Sequence, residues 1–109
     1  MRGKNMKIDI LQKLCRKKAM VWSAHALARL QSRGIFRTDV RNAILTGEII
    51  EVYPEDFPDE SCLILGTTVN GQPLHVVCGC NEEFITVITA YYPTEDYFER
   101  DFKTRKEKP

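Results

Sequence analysis

The sequence predicts an α+β domain: N-terminal helices packed on one face of a four-stranded antiparallel sheet. Three observations carry this. Apolar residues recur at helical spacing up to about residue 46 and in strand-like runs after it. Turn residues, above all Asn70-Gly71, divide the later runs at hairpin distances. The order is helices first and strands second, as in a meander with its helices on one side.

Residues 5–18 read as a helix, with Ile8, Leu11, Leu14 and Cys15 on one face and the basic residues elsewhere. Residues 19–22 are a short apolar piece compatible with a strand. Ser23 is a candidate N-cap for a helix through Arg33, and Gly34 stands where a left-handed residue closes it. Thr38 or Asp39 caps a third helix with Val40, Ala43 and Ile44 inside and Gly47 as its stop. Strands are expected over 48–54, 61–69, 72–80 and 84–91, with an acidic loop at 55–60. Pro93 ends the last strand.

The turns suggest registers. A two-residue loop at Asn70-Gly71 pairs Leu65 with Val76 and Leu63 with Cys78. Leu63, Leu65, Leu74, Val76 and Cys78 then share the helix-covered face. A three-residue turn at 81–83 pairs His75 with Thr89. It puts His75, Val77, Val87, Thr89 and Tyr91 on the opposite face, with Tyr91 a diagonal neighbour of His75. Gly66 would then sit opposite His75 and leave it open space.

At 109 residues the chain has the length of one domain, and its 43% hydrophobic and 28% charged residues are those of a globular protein. Apolar runs such as 62–65 fall far short of the ~20 residues that cross a bilayer. No apolar stretch of signal-peptide length follows the basic N-terminus. The expectation is a cytoplasmic protein without membrane contact, its four cysteines free. Charge is strongly segregated. Residues 1–41 carry eleven Lys/Arg and two acids, 42–99 carry eleven acids and no Lys or Arg, and 100–109 carry five basic and two acidic residues. Such polarisation suits a polyanion such as RNA on one side and a basic partner on the other; helices with solvated basic faces explain it equally well.

The chain has two histidines. His25, Arg29 and Arg33 form an i, i+4, i+8 row within about 80° around a helix axis. One imidazole and two guanidiniums can bind phosphate; an ordinary solvated face has the same look. His75 lies mid-strand, where a histidine is often structural, but its expected neighbour Tyr91 favours chemistry. A His–Tyr–Arg set is adequate for cleaving RNA without a metal: a base takes the 2′-hydroxyl proton, an acid protonates the leaving oxygen, and arginines stabilise the charge. Cys62, Cys78, Cys80 and His75 match no usual zinc spacing, so neither metal nor cofactor is expected. The acids at 55–60 lack calcium-loop spacing.

These residues fall into a familiar pattern. Ser23-x-His25-Ala26-x-x-Arg29-x-x-x-Arg33-Gly34-Ile35 resembles the opening of the bacterial domain-of-unknown-function family 4258. So do Asp39-Val40 through Gly47-Glu48-Ile49-Ile50, Tyr53-Pro54-Glu55-Asp56, Leu63-x-x-Gly66, Pro73-Leu74-His75-Val76-Val77 and Ile88-Thr89-Ala90-Tyr91-x-Pro93. The resemblance spans about 20–105, leaves 1–18 as an additional helix, and meets Cys78 and Cys80 where ordinary strand residues are expected. It implies a RelE/ParE-like toxin fold and, by position, the polar set His25, Arg29, Arg33, Asp56, His75 and Tyr91. It also implies a small zinc-finger antitoxin protein as partner. The expected function is a toxin-type, metal-independent endoribonuclease of a bacterial toxin–antitoxin pair. In it His75 or His25 is acid or base, Tyr91 assists, Arg29 and Arg33 bind RNA phosphate, and Asp56 supports. The alternative is a non-catalytic RNA- or protein-binding module of the same fold.

Overall fold

A computed structural model describes residues 6–106. Three helices, α1 (Ile8–Arg16), α2 (Ala24–Ser32) and α3 (Arg37–Thr46), lie on one face of a five-stranded open sheet. Its strands are β1 (Met20–Trp22), β2 (Glu48–Tyr53), β3 (Ser61–Thr67), β4 (Pro73–Cys80) and β5 (Ile85–Tyr91), in the order β1-β5-β4-β3-β2. The expectation of four antiparallel strands is therefore corrected: Met20–Trp22 adds a fifth strand, parallel to β5. Position 5, the expected start of the first helix, lies outside the described residues.

The helices follow their local chemistry. α1 buries Leu11, Leu14 and Cys15, the stripe its spacing dictates. Gln12 reaches from it to the Ile44 and Leu45 carbonyls at the end of α3, 3.2 Å each. Ser23 Oγ accepts the Ala26 N–H at 3.0 Å and caps α2, and Gly34 leaves it at φ +70°. α3 starts earlier than expected. Phe36 is the N-cap, and Asp39, three residues on, accepts the Phe36 N–H at 3.1 Å. The Asp39 carboxylate also holds the Val69 N–H at 3.1 Å, which ties α3 to the β3–β4 turn.

The β3–β4 register is one residue from that expected. Thr68 and Gln72 close a three-residue loop in which Gly71 is left-handed at φ +86°. Ile64 therefore pairs with Val76, Cys62 with Cys78, and Leu65 with His75. Leu65 and Val76 lie on opposite faces. The helix-covered face holds Cys62, Ile64, Leu74, Val76, Cys78, Ile85, Val87 and Ala90. Gly66 faces this side too, where a Cβ would lie 1.9 Å from the Ala43 carbonyl oxygen, so α3 rests on the bare β3 backbone. It does not lie opposite His75.

Two bulges complete the outer face. In β5 the pairing shifts between Cys78↔Val87 and Val77↔Thr89, leaving Ile88 unpaired. Val87 consequently faces the helices, and Tyr91 stands directly opposite His75 instead of diagonally. In β2 the shift lies between Ile49 and Glu51, which turns Ile49 to the helices and Glu51 outward, opposite Leu63. Each bulge thus sends a polar side chain to the face that carries His75.

Candidate functional site

His75 faces away from the helices, as its parity requires, yet it is 0% exposed. Its cover is the segment after β5. Residues 97–106 form a small antiparallel loop: Phe98 bridges to Arg105, Glu99 N–H donates to Thr104 O at 2.8 Å, and Lys106 N–H donates to Tyr97 O at 3.0 Å. Asp101 organises its tip, accepting the Lys103 and Thr104 N–H groups at 2.9 Å each. Those bonds hold its carboxyl down at about 2. This strap sets the Phe98 ring edge-on to His75, centroids 4.8 Å apart.

Both imidazole nitrogens are engaged. The Phe102 carbonyl can only accept, so Nε2 carries the proton and donates to it at 2.7 Å. Nδ1 is then free to accept the Tyr91 hydroxyl at 3.3 Å. Burial lowers the His75 pKa from its ordinary value, against the Phe102 carbonyl, which favours the charged form. Burial raises that of Tyr91. The pair is a neutral imidazole backing a protonated phenol.

Glu51 lies on the same face. Arg105 grips its carboxylate with Nε at 2.7 Å and Nη2 at 3.0 Å, and Tyr53 donates its hydroxyl to the same group. The Arg105 bond pulls the Glu51 pKa down, and burial with the Glu51 charge pushes Tyr53 up to about 12. Arg105 also covers the Phe98 ring at 4.8 Å. Arg105→Ala is expected to loosen the strap by about 1 kcal/mol, an exposed bidentate ion pair being worth little more. Hydrogen exchange at the Glu99 and Lys106 amides should accelerate about fivefold. Unchanged exchange there would mean that the aromatic contacts alone hold the segment.

Arg33 joins the cluster from the other side of the sheet. β1 pairs only with Ile85, Thr86 and Val87, so the rest of β5 is a free edge. Arg33 Nη1 reaches around it to Thr89 Oγ1 and the Ala90 carbonyl, 2.9 Å each. Of the residues expected to act together, the fold bonds His75 to Tyr91 and anchors Arg33 on Thr89 and Ala90, the two residues before Tyr91. His25 and Arg29 stand exposed on α2. Asp56 lies in the loop after β2, where it accepts the Ser61 hydroxyl. Among the described residues, no hydrogen bond or ion pair joins these three to the cluster. Glu51, Tyr53, Phe98, Phe102 and Arg105 are additions that sequence pattern did not single out.

Beside Tyr91 opens a cavity of about 450 Å³, walled by Tyr91, Tyr92, Tyr97 and Phe98 with Asp96 and Arg105. A second hollow of about 360 Å³ adjoins it across Tyr92 and Pro93. The cysteines lie elsewhere. Cys62 and Cys78 face each other in the core, sulfurs 4.0 Å apart, and the neighbouring thiol and burial hold Cys78 well above the ordinary range. Among the described residues, no group of three or more His, Cys, Asp or Glu is arranged to hold a metal, and no helix is long and apolar enough to cross a membrane.

The model of the family described as Domain of unknown function (DUF4258) matches residues 22–92. The chain belongs to this family. No curated protein and no solved structure matches it. The DUF4258 segment begins at Trp22 and runs from the end of β1 to the residue after β5, so it contains Arg33, Glu51, His75 and Tyr91. It excludes α1 and the strap. In this chain the cover over His75 therefore comes from outside the family segment.

Proposed function

We propose that this domain acts on single-stranded RNA as a toxin-type, metal-independent endoribonuclease centred on Tyr91. One observation carries the reading: the Tyr91 hydroxyl, at the wall of an open cavity, bonds a buried neutral imidazole while two guanidiniums stand near it. A phenol kept protonated is an acid. At rest its one hydrogen lies on His75 Nδ1, so the hydroxyl turns to give that proton to the leaving 5′-oxygen as the 2′-oxygen bonds to phosphorus and the P–O5′ bond breaks, with the 2′ proton passing to water. Arg33 would draw the phosphate, and His75 would act through Tyr91 by fixing its hydroxyl. His25 and Arg29 would add attraction for the strand along α2. The zinc-finger antitoxin implied by the resemblance, and a cytoplasmic setting, belong to the same reading.

The alternative, a non-catalytic RNA- or protein-binding module, is favoured by one fact: no nitrogen of His75 is free to take a proton from substrate. Incubating purified protein with unstructured RNA in EDTA separates the two. Cleavage leaving 2′,3′-cyclic phosphate ends, reduced about 10² fold or more in Tyr91→Phe and also lowered in Arg33→Ala, supports the enzyme. Salt-sensitive RNA binding without cleavage supports the module. Neither cleavage nor binding overturns the RNA reading.

A further inference from the structure

We propose that the cavity beside Tyr91 is a nucleobase pocket that prefers guanine, receiving one unstacked base of single-stranded RNA. The proposal rests on the RNA reading above and names what lies next to the reacting phosphate. The walls come first. Tyr92 and Tyr97 are among the large side chains left open to solvent, Tyr97 at 71%, and with Tyr91 they line a single cavity. Phenol rings at the mouth of a hollow of about 450 Å³ are stacking surfaces, and a base with its ribose fits such a space. Every base has a face to stack, so the walls alone select none.

Selection comes from Asp96. Its backbone N–H is held by Thr94 Oγ1 at 3.3 Å, while no hydrogen bond or ion pair among the described residues engages its carboxylate. A carboxylate accepts and cannot donate. Guanine presents two adjacent donors, N1–H and N2–H, that fit its two oxygens. Adenine and cytosine each set one donor beside an acceptor, and uracil has a single donor between two acceptors. The other charge in the wall, Arg105, is already gripped by Glu51, so it does not compete for Asp96. Arg33, anchored beside Tyr91 on the β5 edge, is the cation placed for the attached phosphate. The adjoining hollow at Tyr92, Pro93 and Phe102 continues the path for the next nucleotide.

The test is titration of the full chain with 5′-GMP, 5′-AMP, 5′-CMP and 5′-UMP, followed by the ring resonances of the tyrosines. GMP is expected to bind about tenfold more tightly than the others. Tyr97→Ala should weaken it about fivefold or more. Asp96→Asn should erase the preference for GMP over AMP with the circular-dichroism spectrum unchanged. Equal binding of all four nucleotides, or no shift at the tyrosines, overturns the proposal. So does tighter binding of N-acetyl-arginine amide, which would make the cavity a seat for a partner's cation. Because binding is read without cleavage, GMP binding by a protein inert toward RNA removes only the enzymatic reading. Cleavage that ignores Tyr97→Ala and Asp96→Asn removes only the pocket.

Discussion

Gly66→Ala is expected to destabilise the domain by about 3 kcal/mol and lower its Tm by roughly 10–20 °C. The reason is geometric. The added methyl would lie 1.9 Å from the Ala43 carbonyl oxygen and 2.7 Å from the Ala43 Cα. These are backbone atoms of α3, so no side-chain rotation relieves the clash. The helix would have to lift from β3, and Val40, Ala43 and Ile44, all 0% exposed, would lift with it. Gly47 meets the same helix, its Cβ position 2.4 Å from the same oxygen. Gly71→Ala is the useful contrast. Nothing lies within 4 Å of its Cβ position, and only its φ of +86° resists substitution. Thermal unfolding of the two variants should show the larger loss at Gly66. A shift of only a few degrees there would mean that the α3–β3 contact is far softer than this packing implies.

Acid is expected to weaken the fold through His75. Its native pKa lies below the ordinary 6.5 because burial penalises the charged ring. Above pH 6.5 the imidazole is neutral in both folded and unfolded chains, and the native arrangement is fully available. As pH falls below 6.5 the unfolded chain binds a proton that the native chain refuses. Stability then drops, by up to about 1.4 kcal/mol per pH unit, until the lowered native pKa is reached. Glu51 adds a loss at lower pH: its native pKa is also depressed, so its contribution is present above 4.5 and fades below it. Protonating Nδ1 would remove the acceptor for the Tyr91 hydroxyl, so acid should also speed exchange in residues 97–106. Urea unfolding at pH 7.5 and 5.5, with nitrogen NMR of the His75 ring, checks this. A ring that titrates at or above 6.5 would show that the strap does not seal it.

How far the sequence alone reaches depends on whether a feature is local. Ser23 and Gly34 bracket α2 as their chemistry demands, and the stripe of α1 was legible from spacing. The existence of the β3–β4 hairpin followed from Asn70-Gly71. Its register did not, because one left-handed residue after the turn adds a position, and the choice between two- and three-residue loops is decided by pairing further along. The bulges at Ile50 and Ile88 are equally silent: alternation read straight through β5 keeps Val87 on the face of Tyr91, and through β2 it keeps Ile49 on the face of Glu51. β1 has three residues, too few to display a period. His75 and Tyr91 were found as a pair. The strap was not, since it is held by distant contacts, Arg105 to Glu51 and the Phe102 carbonyl to His75, that leave no periodic trace.

The parallel pairing of β1 with β5 governs the order in which the molecule can assemble. Met20 finds its partner only at Ile85, so the strand made first waits for the strand made last. Until then Ile85, Val87 and Ala90, part of the floor beneath α1 and α2, are missing from the core. Local pieces, the α3–β3 contact and the β3–β4 hairpin, can form on a shorter chain. Closing the long loop between β1 and β5 is the slow, entropically costly event. A ribosome-bound chain halted before β5 would therefore hold a structured middle, with α1 already resting on α3, and an unanchored α2 open to proteases.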